Sequence, residues 1–136
     1  MKWVFMLFFG LTVSMVGTAQ DTDITTDFIK KEISKGRSYV VAFLKEGPNR
    51  KELDSATVHT NQEAHLNHLF GLKNQGKLAI FGPFFAHDTL KGFCIFDTQD
   101  VAEVKSLLDA DPHVQSGYLA YEILTWFGLP GDRLPE

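Results

Sequence analysis

The strongest constraint on this chain is the order in which two hydrophobic periods alternate along it. Ser38 to Lys45 (SYVVAFLK) is β-branched and aromatic and stops at Glu46-Gly47-Pro48-Asn49, which reads as a strand closed by a turn. Thr60-Asn61-Gln62-Glu63 has the form of a capping box, and Leu66, Leu69, Phe70 and Leu72 follow near helical spacing up to Gly76. This predicts a helix from Thr60 to about Gln75 with those four residues as its buried stripe. Leu78 to Phe81 and Leu90 to Asp97 are two further strands, joined by a short connection over Phe84 to Thr89. Asp97 or Thr98 is placed to cap a second helix running to Asp109, with Val101, Val104, Leu107 and Leu108 on its apolar side. Asp111-Pro112 breaks it, and Tyr118 to Trp126 is the last strand.

The resulting order, β-α-β-β-α-β, predicts an α+β, ferredoxin-like fold: a four-stranded antiparallel sheet with two helices on one face. The other face should then be wet, yet the first strand alternates Tyr39, Val41 and Phe43 with Val40, Ala42 and Leu44, and is apolar on both sides. The third strand is the same. A second copy of the chain is the simplest cover, which predicts a homodimer with sheets face to face. The twelve phenylalanines point the same way, since so many in 136 residues must be buried in a core or an interface.

The segments outside this pattern divide the chain. Residues 1–19 read as a secretory signal: Lys2 is the positive start, Trp3 to Gly17 the apolar run, and Gly17 and Ala19 the small residues a signal peptidase recognises. Cleavage is expected after Ala19 or after Gln20. An uncleaved anchor is the rival, but the run is shorter than the roughly 20 apolar residues of a membrane span. The mature protein is thus expected in an exported location, the bacterial periplasm, with no stable membrane span. Residues 20–37 form a leader with a short helix, Phe28 to Lys35, capped by Asp27. The domain proper is 38–127, and 128–136 is a Pro/Gly-rich tail.

Composition removes several functions. The net charge of -4 argues against nucleic acid as a partner, because phosphate binding needs a basic surface. The single cysteine, Cys94, excludes an internal disulfide and multi-cysteine zinc sites, and its mid-strand position is that of a packing residue. Walker, dinucleotide-binding, nucleophile-elbow and HExxH motifs are absent. His59, His65 and His68 invite a metal reading, but further ligands and their supports are not in evidence from spacing, so no metal is assigned.

His65 draws attention for a topological reason. The last strand lies beside the first in this fold, so a carboxylate at the Asp111-Pro112 break can reach an imidazole on the neighbouring helix. Such a pair fixes a histidine tautomer and raises its basicity, as acid–base catalysis requires; it is also a common structural pair. Arg50 is either a solvated charge or an anion contact. His87 and Asp88 either line a cleft or are exposed loop residues.

The motifs GPNR at 47–50, HLNHL at 65–69, GKLAIFGPF at 76–84, LKGFCIFD at 90–97 and DADPHVQSG at 109–117, with Glu122 and Trp126, carry a resemblance. In that order the chain from Tyr39 to Trp126 resembles the YCII-related (YciI-like) family of the dimeric α/β-barrel class. The resemblance selects His65 over His68, since it stands eleven residues before Gly76, and places Asp111 on the aspartate of the family's DP motif. It implies a His–Asp pair in a cleft beside the sheet, and a dimer. Relatives in the wider fold class carry out eliminations and isomerisations on small cyclic molecules.

Three readings follow. The first is a cofactor-independent lyase or isomerase in which His65 moves a proton and Asp111 orients it, with Arg50, Pro83, Asp88 and Ser116 lining the cleft around a small-molecule ligand. The second is a non-catalytic periplasmic binder using the same cleft. The third is a structural domain in which His65 and Asp111 hold a loop.

Overall fold

A computed structural model describes residues 24–136. The signal reading at 1–19 lies outside the described residues. The elements, in chain order, are α1 (Thr26–Ile33), β1 (Arg37–Glu46), α2 (Ser55–Asn74), β2 (Leu78–Pro83), β3 (Leu90–Phe96), α3 (Val101–Asp109), α4 (Pro112–Gln115) and β4 (Leu119–Gly128). The four strands form one antiparallel sheet in the order β2-β3-β1-β4. This is the α+β, ferredoxin-like arrangement that the alternation of periods predicts.

The register explains the core. Val40, Ala42 and Leu44 of β1 stand opposite Phe96, Cys94 and Gly92 of β3, and opposite Thr125, Ile123 and Tyr121 of β4. Onto this face α2 packs Leu69 and Leu72, and α3 packs Val104 and Leu108; Leu78 and Leu119 complete the cluster. Both helices therefore cover one side. The other side carries Tyr39, Val41 and Phe43, with Ile95 and Phe93 on β3 and Leu124 and Trp126 on β4. Tyr39 and Trp126 pack their rings 5.7 Å apart there, and Trp126 still keeps 43% of its surface exposed.

Several helix ends differ from expectation, each because another polar side chain reaches the free backbone first. Asp54, not Thr60, caps α2: its carboxylate accepts from the Thr57 N–H at 2.9 Å and from the Thr57 hydroxyl at 2.7 Å. Ser55 to His59 are therefore helical, the expected capping box is interior, and His65 lies in mid-helix. Its buried stripe is His65, Leu69 and Leu72, at helical repeats of four and three. Leu66 and Phe70 sit on the flanks, and Phe70, 53% exposed, packs edge-on against Phe81. Thr25, not Asp27, caps α1 through the Phe28 N–H, and α1 buries no residue. Asp100, not Asp97 or Thr98, caps α3 by accepting from the Ala102 and Glu103 N–H groups. Val101 is exposed rather than part of the apolar side of α3.

Two features position the site. Asp111-Pro112 ends α3 and also opens the four-residue α4, which the sequence reading lacked: Asp111 is its cap and Pro112 its first residue. The turn after β1 then locks onto the turn after α4. Gly47 and Asn49 donate their N–H groups to Tyr118 O and Gly117 O, and the Asn49 amide donates to Ser116 O at 3.0 Å. A Cβ on Gly47 would stand 2.1 Å from Gly117 O, and Gly117 itself has φ +73°, so glycine is required on both sides of this contact.

Candidate active site

His65 enters the site from the buried stripe of α2, and Asp111 meets it from the cap of α4. Nδ1 of His65 lies 2.6 Å from Oδ2 of Asp111. The other oxygen, Oδ1, accepts the His113 backbone N–H at 2.8 Å, the capping bond of α4. Asp111 is 0% exposed, and a carboxyl group buried that deeply is tolerable only when its oxygens are paired. Because a carboxylate oxygen accepts, Nδ1 of His65 is the donor in this bond, and Nε2 is the ring nitrogen left for another partner. His113 Nδ1 is the one sealed side-chain polar atom without a partner among the described residues. Nε2 of His65, which makes no hydrogen bond there either, therefore remains in contact with open space.

His65 lines a cavity of about 320 Å³, together with His113, Gln62 and Tyr118 and with Phe81, Pro83, Phe84 and Phe85. The walls are largely apolar, with a few convergent polar groups, as in small-molecule sites generally. His113 lies between two rings tilted against it, with centroids 4.8 Å from His65 and 4.6 Å from Tyr118. Its Nε2 lies 3.0 Å from Gln62 Oε1, an acceptor, so Nε2 carries the proton. Burial above all, with help from the nearby His65 and Arg50, holds the His113 imidazole down to about 4, against the opposing pull of Asp111. It is neutral at neutral pH. Arg50 completes the row: its guanidinium lies 4.0 Å from the Tyr118 ring centroid and borders the cavity.

Of the residues expected in the cleft, His65 and Asp111 touch, and Arg50 and Pro83 line the cavity. Asp88 and Ser116 do not line it. The His87 ring accepts the Thr89 and Leu90 N–H groups of its own loop, and Asp88 offers its carbonyl to the Lys91 ammonium at 2.7 Å; both residues are exposed. Ser116 ends α4, where its hydroxyl donates to His113 O and its carbonyl is held by Asn49. His68 Nε2 bonds Leu107 O at 2.9 Å and so ties α2 to α3, and His59 is exposed. Among the described residues no three His, Cys, Asp or Glu side chains gather as a metal cage. The Cys94 thiol borders the cavity from within the core, where burial pushes it up to about 12.

His113, Gln62 and Tyr118 are site residues that the sequence reading missed. Gln62 precedes His65 by three positions on a helix, which places both on one face, and this was the available signal. His113 follows Asp111 by two, the spacing at which an N-cap carboxylate takes a backbone N–H.

No curated protein matches the chain. A solved structure of 5-chloro-2-hydroxyhydroquinone dehydrochlorinase from Burkholderia phenoliruptrix AC1100, in complex with 2,5-dihydroxybenzoquinone, is similar at 21% sequence identity and a TM-score of 0.49. The match covers 66% of this chain and 93% of that one. The model of the YCII-related domain matches residues 39–127, the span over which the motifs above carry their resemblance. The chain belongs to the YCII-related domain family.

Proposed function

We propose that this protein is a small-molecule enzyme of lyase or isomerase type that works by acid–base chemistry at His65. The observation that supports it is the 2.6 Å bond from Nδ1 of His65 to a wholly buried carboxylate, with Nε2 left free beside the cavity. In this reading Nε2 removes a proton from a carbon next to a carbonyl group, and the electron pair of the broken C–H bond moves onto the carbonyl oxygen. The imidazolium so formed is stabilised by Asp111 across the same hydrogen bond. Returning the proton to a different atom gives an isomerisation; loss of a leaving group from the neighbouring carbon, which carries off its bonding pair, gives an elimination. Arg50 stands at the cavity wall as the cation for an anionic group.

The deciding experiment is a thermal-shift screen of small carbonyl compounds followed by product analysis of each hit. For a compound that turns over, His65→Asn is expected to lower kcat by about 10²- to 10⁴-fold with the fold intact. Turnover unchanged in that variant overturns the assignment.

Export and dimerisation belong to the same proposal. Residues 1–19 direct the chain to the periplasm, and recovery of a periplasmic species beginning at Gln20 or Asp21 tests this by mass spectrometry. Two copies bury their apolar sheet faces against each other; the support is Leu124 and Trp126, which stay 46% and 43% exposed on the face opposite α2 and α3. Sedimentation velocity finding a monomer at micromolar concentration refutes it.

A further inference from the structure

We propose that the ligand of this cavity is a planar, ring-bearing organic monoanion, with Arg50 binding its charged group and Phe85 covering the face of its ring. The inference rests on reading the cavity as a small-molecule site and goes on to name what it accepts.

Charge is the first line of support. Acidic residues outnumber basic ones 17 to 13 over the chain. None of the residues lining the cavity is acidic, whereas Arg50 and Lys91 both border it. Lys91 is already engaged: its ammonium lies 3.5 Å from the Glu46 carboxylate and donates to His87 O and Asp88 O. Arg50 has no ion-pair partner among the described residues. It is half-buried and anchored on the Tyr118 ring instead, which leaves its donors for another acceptor. The planar fork of a guanidinium matches a carboxylate or an equivalent delocalised oxyanion in two parallel bonds. A row of three neighbouring rings, His65, His113 and Tyr118, runs between this cation and the imidazole, and both ends of the row line the same cavity.

Shape is the second line. Phe81, Phe84, Phe85, Phe93 and Tyr118 all border a space of about 320 Å³, room for a single substituted ring. Phe84 is already stacked at 5.6 Å on Phe93. Phe85 is not: it borders the cavity yet is 88% exposed, the most exposed large apolar residue among those described. An aromatic side chain left in water at a pocket mouth has an apolar face to bury, and a ring entering the pocket supplies the surface.

Isothermal titration calorimetry on the purified protein tests this with benzoate as the probe. Benzoate is expected to bind saturably. Benzamide, which keeps the ring and loses the charge, is expected to bind at least tenfold more weakly, and cyclohexanecarboxylate, which keeps the charge and loses planarity, several-fold more weakly. Arg50→Gln should weaken benzoate at least tenfold and Arg50→Lys less, with melting temperatures confirming that both variants fold. Phe85→Ala, at an exposed position, should weaken it several-fold. No saturable heat up to about 10 mM benzoate overturns the proposal, as does equal affinity for benzamide or an Arg50→Gln variant that binds normally. The two readings separate at His65→Asn. Selective benzoate binding together with undiminished turnover in that variant sinks the catalytic role and leaves the ligand class standing; lost turnover with indiscriminate binding does the reverse.

Discussion

The His113 ring lies 4.8 Å from the His65 ring, centroid to centroid, but only His65 is tied through its ring to the Asp111 carboxylate. His113 reaches the same carboxylate through its backbone N–H and sends its ring nitrogen to Gln62. Two adjacent imidazoles are thus given different chemistry by their partners. His113 stays neutral, so no like charge from it opposes a proton arriving on His65.

Stability should carry the imprint of that neutrality. The unfolded chain takes up a proton on His113 near 6.5, whereas the folded chain declines it until about 4. The full contribution is therefore present above about pH 6.5 and is lost as pH falls towards 4, amounting to roughly 2–3 kcal/mol over that window. Urea unfolding of the wild type and of His113→Phe at pH 7 and pH 4.5 checks this. The variant is expected to lose much less stability between the two.

Asp111 joins a capping bond to a buried pair, so its removal should be severe. Asp111→Ala is expected to lower stability by about 3–5 kcal/mol, read as a lower urea midpoint with an unchanged slope. Asp111→Asn should be milder, because its amide oxygen can still accept the His113 N–H. Its NH₂ group would then face His65 Nδ1 and reverse the tautomer, placing the ring proton on Nε2. Nitrogen-15 chemical shifts of the His65 ring distinguish the two tautomers.

The start of α2 can be located by mutation. Asp54→Ala is expected to cost about 1 kcal/mol, since Asp54 holds both the Thr57 N–H and its hydroxyl. Thr60→Ala, inside the helix, should stay within about 0.5 kcal/mol of wild type. Thermal unfolding of both variants decides between the two starts.

Gly47 tests the link between the scaffold and the cation. A methyl group there meets Gly117 O at 2.1 Å, so Gly47→Ala must part the two turns that set Arg50 on Tyr118. A loss of about 2 kcal/mol is expected, and weakened anion binding with it. Denaturation and benzoate titration of the same variant measure both.

The sheet was legible in the sequence because strand patterns are local: Val40, Ala42 and Leu44 announce a buried face whatever lies around them. The approach of His65 to Asp111 was legible for a different reason, since strand order alone brings α2 beside the DP turn. What escaped was decided by competition or by tertiary contact. Asp54 and Thr60 both look like caps, and only the packing of residues 55–59 as helix selects the first. Asp88 looked like a cleft residue until the His87 ring took the loop's backbone donors and left it outside. Nothing near His113 in the chain says that it would lie between His65 and Tyr118.

The strand order has one more consequence. β1 lies between β3 and β4, and the loop after β2 is where the chain passes from the half that holds the imidazole to the half that holds its carboxylate. A backbone cut between Phe84 and Asp88 would give two fragments, neither with a complete dyad, and the central strand of one would have to slot between two strands of the other. Reassembly of the severed halves and recovery of the dyad would be a single event, so the protein could report on its own reconstitution.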